Sequence, residues 1–363
     1  MTKDQLQAEA LAALDGKFRA SAVLGTGSGK TLLALKHMMK IYTDYMMFAV
    51  VAPTAVIKGW KKEIADHKLD FLLDQIEFCT YRSLIKLDWK NTDYLYLDEC
   101  HNLKESHAEW LGLYNGGILG LTGTYPKYKT SESYKVCNMY CPPAYTFKIG
   151  SAIQDGMLNN YKIYIHMLNL EKKPTVKTKY GVVSEENNYR MWSERVSKNP
   201  QDMMLKVMRM KAMQGYETKV KYAKMLAAIQ TKKTLVFTDY TLQADKICEH
   251  TYHSKNKKSK ENLEKFAEGS ITKLASVQQL AEGINIPDLE VGIITHSYAN
   301  EKKLPQKIGR FLRLNPTQTA IVHILCYDST VDVQWVKAAL KEFDKSKIFK
   351  YDIRKTIDSF QRL

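Results

Sequence analysis

The sequence predicts an α/β protein with two tandem domains, each built on a parallel sheet. Short apolar runs typical of buried strands alternate with stretches that carry apolar residues at helical spacing, and no tight hairpin signal separates neighbouring strands. This alternation occurs over residues 1–160 and again over 161–363. A chain of 363 residues is long enough for two such domains, each with its own core.

The first predicted helix ends at Asp15 and Gly16, and Pro53 ends the second strand. The predicted strands of the first domain are 20–24, 46–52, 76–81, 94–97 and 118–124, and its helices are 5–14, 31–39 and 56–69. The second domain has predicted strands 234–238, 271–277, 291–294 and 320–326 and a helix that ends at residue 250. Residues 171–216 are polar and rich in lysine and methionine, and we interpret them as an insertion of helices and loops in which no strand is predicted.

The formal net charge of +15 favours a polyanionic partner such as nucleic acid. With 45% hydrophobic and 26% charged residues, the composition is that of a soluble globular protein. No apolar run is long enough to cross a bilayer, and the polar N-terminus is not typical of a secretory signal, so we expect a cytoplasmic protein that does not bind membranes. The six scattered cysteines predict free thiols, and Cys137 and Cys141 lack the second Cys/His pair that a zinc site needs.

The first domain is organised around residues 24–31, Leu-Gly-Thr-Gly-Ser-Gly-Lys-Thr. A predicted strand precedes this segment and a predicted helix follows it, so unobstructed backbone N–H groups and a helix N-terminus would face anionic oxygens. Lys30 would reach the β- and γ-phosphates of a nucleotide, and the Thr31 hydroxyl would ligate Mg²⁺. Leu24 stands where the full phosphate-loop pattern has glycine. The predicted nucleotide-binding residues of this loop are Thr26, Gly27, Ser28, Gly29, Lys30 and Thr31.

An acidic pair, Asp98 and Glu99, follows the predicted strand 94–97. An aspartate in this position can hold Mg²⁺, while the adjacent glutamate orients and deprotonates the attacking water. A third element lies at 306–313, Gln-Lys-Ile-Gly-Arg-Phe-Leu-Arg. On a helix, Gln306, Arg310 and Arg313 would share one face, from which the two guanidinium groups can neutralise charge on a γ-phosphate.

Several further segments complete a set of motifs, and in chain order they are 7–11, 52–54, 80–83, 98–101, 121–124, 235–238, 276–287 and 306–313. Together with the phosphate loop, they resemble the motifs of superfamily 2 helicases and translocases over nearly the whole chain. The Trp-Lys-Lys-Glu at 60–63 and the Leu-Thr-Gly-Thr at 121–124 resemble the forms of Swi/Snf-like translocases. Residues 152–158 resemble a junction in phage branch-migration helicases and restriction-enzyme motor subunits.

The resemblance implies two RecA-like domains with an ATP cleft between them. Lys30 and Asp98 would hold ATP and Mg²⁺ from one side, and Arg310 and Arg313 would act from the other. Gln7 would contact the adenine base, and Gly283 of the fifth motif would belong to the nucleotide site. Five residues would contact the phosphates of a nucleic-acid strand: Thr54, Lys58, Arg82, Thr238 and Ser276. Trp60 would either stack on a base or pack in the core.

The resulting prediction is an ATP-dependent DNA helicase or translocase that moves on duplex or branched DNA. We expect a monomer whose substrate specificity comes from a protein partner, and the compact size favours a phage-encoded protein in the host cytoplasm. Two alternatives remain open: an ATP-dependent RNA helicase and an ATP-switched nucleic-acid clamp that does not unwind. The Asp-Glu-Cys-His form at 98–101 lends support to the RNA helicase, and wild-type function in a Glu99→Gln variant would favour the clamp.

Overall fold

The computed structural model describes residues 3–25, 28–123, 125–126, 128–147, 160–277, 286, 288–298, 303–309, 311, 318–341 and 343–352. The chain divides into two compact units, one with the described residues up to 147 and one with those from 160 onward. None of the helices in these described ranges has the length and apolar character needed to span a membrane.

The first unit is a parallel sheet covered by helices. Its elements are α1 (Lys3–Leu14), β1 (Arg19–Leu24), α2 (Lys30–Ile41), β2 (Phe48–Val51), α3 (Thr54–Asp66), β3 (Ile76–Cys79), β4 (Tyr94–Asp98), α4 (Glu105–Leu113), β5 (Gly117–Thr122), α5 (Glu132–Tyr140) and β6 (Pro143–Phe147). The six strands are all parallel and lie in the order β3-β2-β4-β5-β1-β6.

Helices cover both faces of this sheet, as the contacts of β4 show. Alternate residues of this strand point to opposite sides. Leu95 and Leu97 belong to a core cluster with Trp110 of α4 and Tyr140 of α5. Tyr96 lies on the other side, where its hydroxyl bonds to Nδ1 of His37 in α2 at 3.0 Å. Burial on both faces explains why β4 carries only apolar and aromatic residues before Asp98.

The second unit is a larger parallel sheet. Its elements are β7 (Asn160–Leu168), β8 (Pro174–Thr178), β9 (Gly181–Ser184), α6 (Glu185–Lys198), α7 (Met203–Gln214), α8 (Glu217–Ile229), β10 (Thr234–Thr238), α9 (Thr241–Ile247), β11 (Thr251–Tyr252), α10 (Ser259–Glu268), β12 (Lys273–Val277), β13 (Val291–Ile294), α11 (Lys303–Gly309), β14 (Thr319–Tyr327), α12 (Val331–Ala339) and β15 (Ile348–Asp352). Seven of these strands form the parallel sheet in the order β11-β12-β10-β13-β14-β7-β15. Two parallel-sheet α/β units confirm the predicted fold class.

One sequence prediction was wrong. The insertion, residues 171–216, contains an antiparallel hairpin of β8 and β9 ahead of the two helices α6 and α7. The hairpin strands are mostly exposed. They lack the continuous apolar run from which the buried strands were predicted. Both strands nevertheless pair with each other, so the main-chain groups find partners without a buried sheet.

Candidate nucleotide-binding site

The phosphate loop connects the carboxyl end of β1 to the start of α2. Within it, the Ser28 hydroxyl donates a hydrogen bond to the Gly25 carbonyl at 2.6 Å. Gly29 has a φ of +82°, a left-handed conformation that glycine adopts without steric cost, and α2 begins at the next residue, Lys30. The N-terminus of α2 therefore lies at the carboxyl edge of the sheet, where anions are favoured. Thr26 and Gly27 lie outside the described residues.

Glu99 is the point at which the loops of this edge meet. Lys30 Nζ lies 3.0 Å from Glu99 Oε1, in an ion pair whose two side chains are only 14% and 21% exposed. Nδ1 of His101 lies 3.2 Å from Glu99 Oε2 and 2.9 Å from the Thr122 hydroxyl. The Thr122 hydroxyl and the Gly123 N–H also donate to Glu99 Oε2, at 3.4 and 3.5 Å. These contacts follow from the strand order β4-β5-β1, which brings the three carboxyl ends side by side.

The two acidic residues titrate differently. Burial raises the pKa of the Glu99 carboxyl, but the Lys30 ammonium and the hydrogen bond from His101 outweigh that effect and hold the pKa well below its usual range. For Asp98, burial and the adjacent negative charge of Glu99 raise the pKa, more than Lys30 and a hydrogen bond from Trp60 lower it. Glu99 is thus an ionised carboxylate, whereas Asp98 is a buried carboxyl that would gain from a nearby cation.

Asp98 is fixed in place by aromatic side chains. Trp60 is fully buried, and its indole N–H donates to Asp98 Oδ2 at 2.8 Å. The Tyr81 hydroxyl donates to the Asp98 main-chain carbonyl at 2.8 Å. Of the two roles expected for Trp60, the structure therefore favours packing in the core. No spacing pattern in the chain indicated that Trp60 would contact the acidic residue.

Gln7 has one satisfied and one unsatisfied polar atom. The side chain is fully buried, and its Nε2 donates to the Gly29 carbonyl at 3.4 Å. Among the described residues its Oε1 has no hydrogen-bond partner. A buried acceptor without a partner is costly, and the exocyclic amino group of adenine is a donor that would satisfy it. The residues present therefore fit ATP: the Gln7 oxygen would accept a hydrogen bond from the base, and the phosphates would lie at Ser28, Gly29, Lys30 and Thr31.

The predicted nucleic-acid contacts fall into two groups. Thr54 and Lys58 of α3 and Arg82 in the turn after β3 are exposed, and they follow the carboxyl ends of β2 and β3. Thr238 at the end of β10 and Ser276 in β12 are only 1% and 0% exposed. The Thr238 hydroxyl donates to the Ser276 carbonyl at 3.5 Å, so these two side chains lie inside the sheet of the second unit.

The remaining predicted site residues are not covered by the described structure. Gly283, Arg310 and Arg313 lie outside the described residues, and Gln306 is described only as part of the α11 backbone. No distance therefore connects the predicted arginine pair to the site in the first unit.

A group of three buried cysteines lies behind the acidic motif. The Sγ atoms of Cys100, Cys137 and Cys141 all lie within 4.8 Å of one another. The sequence identified only the spacing of Cys137 and Cys141, and Cys100 joins them because the turn after β4 packs against α5. A Cβ added to Gly120 would lie 3.0 Å from the Sγ atoms of Cys100 and Cys141, so these thiols pack directly on β5.

Comparison with known proteins identifies the family. Residues 207–315 match the helicase conserved C-terminal domain. The chain is also 25% identical over 365 residues to the DNA 3'-5' translocase XPB2 of Sulfurisphaera tokodaii, covering 88% of this chain and 80% of that protein. The chain is a superfamily 2 helicase or translocase. This agrees with the motif order in the sequence and with the site formed by Lys30, Asp98 and Glu99.

Solved structures show a similar fold. The ATP-dependent Type ISP restriction-modification enzyme LlaBIII, bound to DNA, superposes with a TM-score of 0.63 at 14% identity. That match covers 96% of this chain but only 31% of LlaBIII, so the superfamily 2 chain spans about a third of that enzyme. The helicase domain of Pyrococcus furiosus Hef superposes with a TM-score of 0.50 at 15% identity, covering 93% of this chain and 97% of that domain.

Proposed function

We propose that the chain is an ATP-driven motor that moves along duplex or branched DNA. The observation that carries this proposal is the convergence on Glu99 of Lys30 from the phosphate loop, His101 after β4 and Thr122 at the end of β5. This carboxylate contacts both the phosphate loop and the end of β5. Binding of phosphates to Lys30 would therefore change the contacts of Glu99 and, through them, the position of the β5 end.

When bound, ATP supplies the phosphoanhydride bond whose hydrolysis drives movement. Lys30 would exchange its ion pair with Glu99 for contacts with the β- and γ-phosphates. Loss of that ion pair would remove the main cause of the low pKa of Glu99, so the carboxylate would then orient the attacking water and accept its proton more readily. Since Thr122 and Gly123 also contact this carboxylate, the exchange connects the nucleotide to the end of β5.

The other residues of the site have supporting roles in this proposal. Asp98 and Thr31 would hold Mg²⁺, with the Trp60 indole keeping the Asp98 carboxyl oriented. Arg310 and Arg313 would stabilise charge on the γ-phosphate, and two further residues, Gln306 and Gly283, would line the nucleotide site.

DNA is the proposed track for two reasons. The relative in Sulfurisphaera tokodaii is named a DNA translocase, and this chain carries a net charge of +15. Thr54, Lys58 and Arg82 are exposed and would contact phosphates, which gives binding that depends on salt but not on sequence. Thr238 and Ser276 are buried and would act through the strand ends that carry them.

The test is ATP hydrolysis by the wild type and by Lys30→Ala with no nucleic acid, single-stranded DNA, duplex DNA, a four-way junction and RNA. We expect the greatest stimulation with duplex or junction DNA and its loss in Lys30→Ala. Lys36→Ala is the matched control, because Lys36 lies on the same helix and pairs only with exposed Asp4 among the described residues.

Other outcomes would point elsewhere. Stimulation that is strongest with RNA would favour the RNA helicase. Nucleotide-dependent DNA binding without stimulated turnover would favour the clamp. Equal turnover under all five conditions would mean that nucleic acid is not the effector, and a protein partner would become the candidate. Size-exclusion chromatography with and without DNA tests whether the motor is a monomer.

A further inference from the structure

The insertion lies at the functional edge of the second sheet. The chain enters it just after Leu168, the last residue of β7, and leaves it at the start of α8, which leads back to the beginning of β10. All seven strands of this sheet are parallel, so their carboxyl ends share one edge. Thr238 ends β10 and Ser276 lies one residue before the end of β12 at that same edge. Ligands of parallel α/β sheets bind outside these strand ends.

A buried carboxylate holds both ends of the insertion together. Glu185 is 1% exposed and accepts hydrogen bonds from the N–H of Glu171 at 3.2 Å and the N–H of Thr218 at 3.0 Å. Val176 of β8 packs on the core cluster of the second unit. The base of the hairpin is therefore anchored to the core of the second unit.

The tip of the hairpin presents an aromatic ring to solvent. Tyr180 is 82% exposed. The turn beneath it is ordered, because the Thr178 hydroxyl donates to the Gly181 carbonyl at 2.9 Å and accepts from the Tyr180 N–H at 3.2 Å. Gly181 has a φ of +123°, which side-chain-bearing residues rarely adopt. Lys179 Nζ lies 4.7 Å from the centre of the Tyr180 ring.

The hairpin segment that carries this ring has only positive charges. Residues 172–184 contain four lysines and no acidic residue. The lysines are Lys172, Lys173, Lys177 and Lys179, and all are exposed. Within the part of the chain that the structure describes, none of them forms an ion pair. Unpaired lysines next to an exposed aromatic ring are the combination that binds a single strand, with phosphates on the ammonium groups and a base on the ring.

We propose that the β8–β9 hairpin is a DNA-binding site that stacks Tyr180 on an unpaired base and binds the flanking phosphates with Lys177 and Lys179. The inference rests on the proposed motor function and adds the kind of DNA that the motor engages, a strand with at least one unpaired base, as at a fork or junction. A protein partner that used the same hairpin would have to supply acidic groups instead, and the test below separates these cases.

The ring is tested first. Fluorescence anisotropy would measure binding of labelled single-stranded DNA, a forked duplex and a blunt duplex to the full chain. Tyr180→Ala should weaken binding to the single strand and the fork about tenfold, which is within the range for loss of one stacked base, and should leave the blunt duplex within about twofold. Tyr180→Phe should bind like the wild type, because the ring is kept. Tyr45→Ala is the control, since Tyr45 is 94% exposed in the first unit.

The lysines are tested through salt dependence. Removal of two phosphate contacts in Lys177→Ala/Lys179→Ala should lower the slope of log affinity against log salt for single-stranded DNA by about 1.4. Lys341→Ala/Lys345→Ala removes the same charge from exposed lysines between α12 and the amino end of β15, at the opposite edge of the sheet, and should leave the slope unchanged. An equal decrease of this slope in both double variants would mean that the lysines act only through the net charge of the chain, and would overturn the proposal.

DNA-stimulated ATP hydrolysis distinguishes a failure of the hairpin as a DNA-binding site from a failure of the chain as a motor. If the wild type binds DNA and shows DNA-stimulated ATP hydrolysis while the Tyr180 and lysine variants match it, the hairpin proposal is wrong and the motor stands. If the wild type shows no stimulation by any DNA, the motor proposal itself is wrong. If Tyr180→Ala keeps DNA affinity but loses binding to a protein partner, the hairpin is a protein-docking element instead.

Discussion

Glu99 combines an unusual backbone conformation with a dense set of contacts. Its φ of +55° lies in the left-handed region, which costs a non-glycine residue about 1–3 kcal/mol and persists only where the surroundings impose it. Here Asp98 is fixed by Trp60 and Tyr81, and Lys30 and His101 hold the carboxylate itself. Strain of this kind is typical of residues whose direction matters to the chemistry.

Replacing Glu99 by glutamine should remove the base but keep the shape. We expect Glu99→Gln to lower DNA-stimulated ATP hydrolysis by about 10²–10⁴-fold, because an amide cannot accept the proton of the attacking water. Nucleotide binding, measured with a fluorescent ATP analogue, should remain. Glu109→Gln on the exposed face of α4 should have no effect. Turnover within threefold of the wild type would show that Glu99 is not the base.

The unsatisfied oxygen of Gln7 leads to a prediction about base preference. Gln7→Ala should weaken ATP binding by about 2–13-fold, the equivalent of one net hydrogen bond, and should bring the affinities for ATP and GTP closer together. Gln5→Ala, exposed on the same helix, serves as the control. An unchanged ratio of ATP to GTP affinity, measured by competition, would exclude Gln7 as an adenine contact.

At the scale of the element, the sequence predicted best what is buried on both faces. The strands 234–238 and 291–294 were predicted with both ends correct, because each is a single apolar run. The strands β7 and β15 were missed, since lysine and histidine interrupt their apolar residues and β15 lies at the sheet edge. An apolar run that polar residues interrupt is a weaker strand signal than a continuous one.

In the candidate site, the residues at strand ends could be predicted from the sequence, whereas the contacts that depend on packing could not. Lys30, Asp98 and Glu99 were predicted together because each follows a strand whose neighbours could be inferred from the parallel pattern. The sequence could not predict the contacts from Trp60 to Asp98 and from His101 to Glu99, since they depend on how α3 and the turn after β4 pack. No sequence pattern marked Glu185 either, because its partners lie 14 and 33 residues away.

The two hydrogen bonds of Glu185 should therefore stabilise the fold of the second unit. Its replacement by alanine leaves two main-chain N–H groups without their acceptor, and we expect the free energy of unfolding to fall by about 1–3 kcal/mol in chemical denaturation. Glu186→Ala is the matched control, because Glu186 is exposed in the same helical turn. Equal losses in the two variants would mean that helix electrostatics, rather than the two bonds, are responsible.

For the whole molecule, a pair of buried histidines connects stability to pH. Nε2 of His166 in β7 and Nδ1 of His323 in β14 are 2.8 Å apart, so one ring donates and the other accepts. Burial, with the neighbouring His323 as a smaller cause, lowers the pKa of His166 to about 3. Burial lowers the pKa of His323 to about 4. Both rings are therefore neutral in the folded protein at any pH near neutrality.

Stability should fall as the medium is acidified. In the unfolded chain both histidines have a pKa of about 6.5, so below that value unfolding takes up protons and becomes more favourable. The stability is fully present above pH 6.5 and is lost as the pH falls toward the folded values, at about 1.4 kcal/mol per pH unit for each histidine. Chemical denaturation between pH 7 and pH 5 measures this slope. His323→Gln should reduce it, whereas the control His250→Gln should not.

The closure of the insertion by Glu185 has an evolutionary consequence. Because one carboxylate bonds to the main chain at both Glu171 and Thr218, the points where the segment leaves and rejoins the domain lie close together. A segment with neighbouring ends can be lengthened, shortened or exchanged during evolution while the seven strands keep their order. Motors that share the same two α/β units would in this way acquire different DNA specificities by replacing one inserted segment. Grafting residues 171–216 into a related motor would then transfer the DNA preference that the hairpin confers.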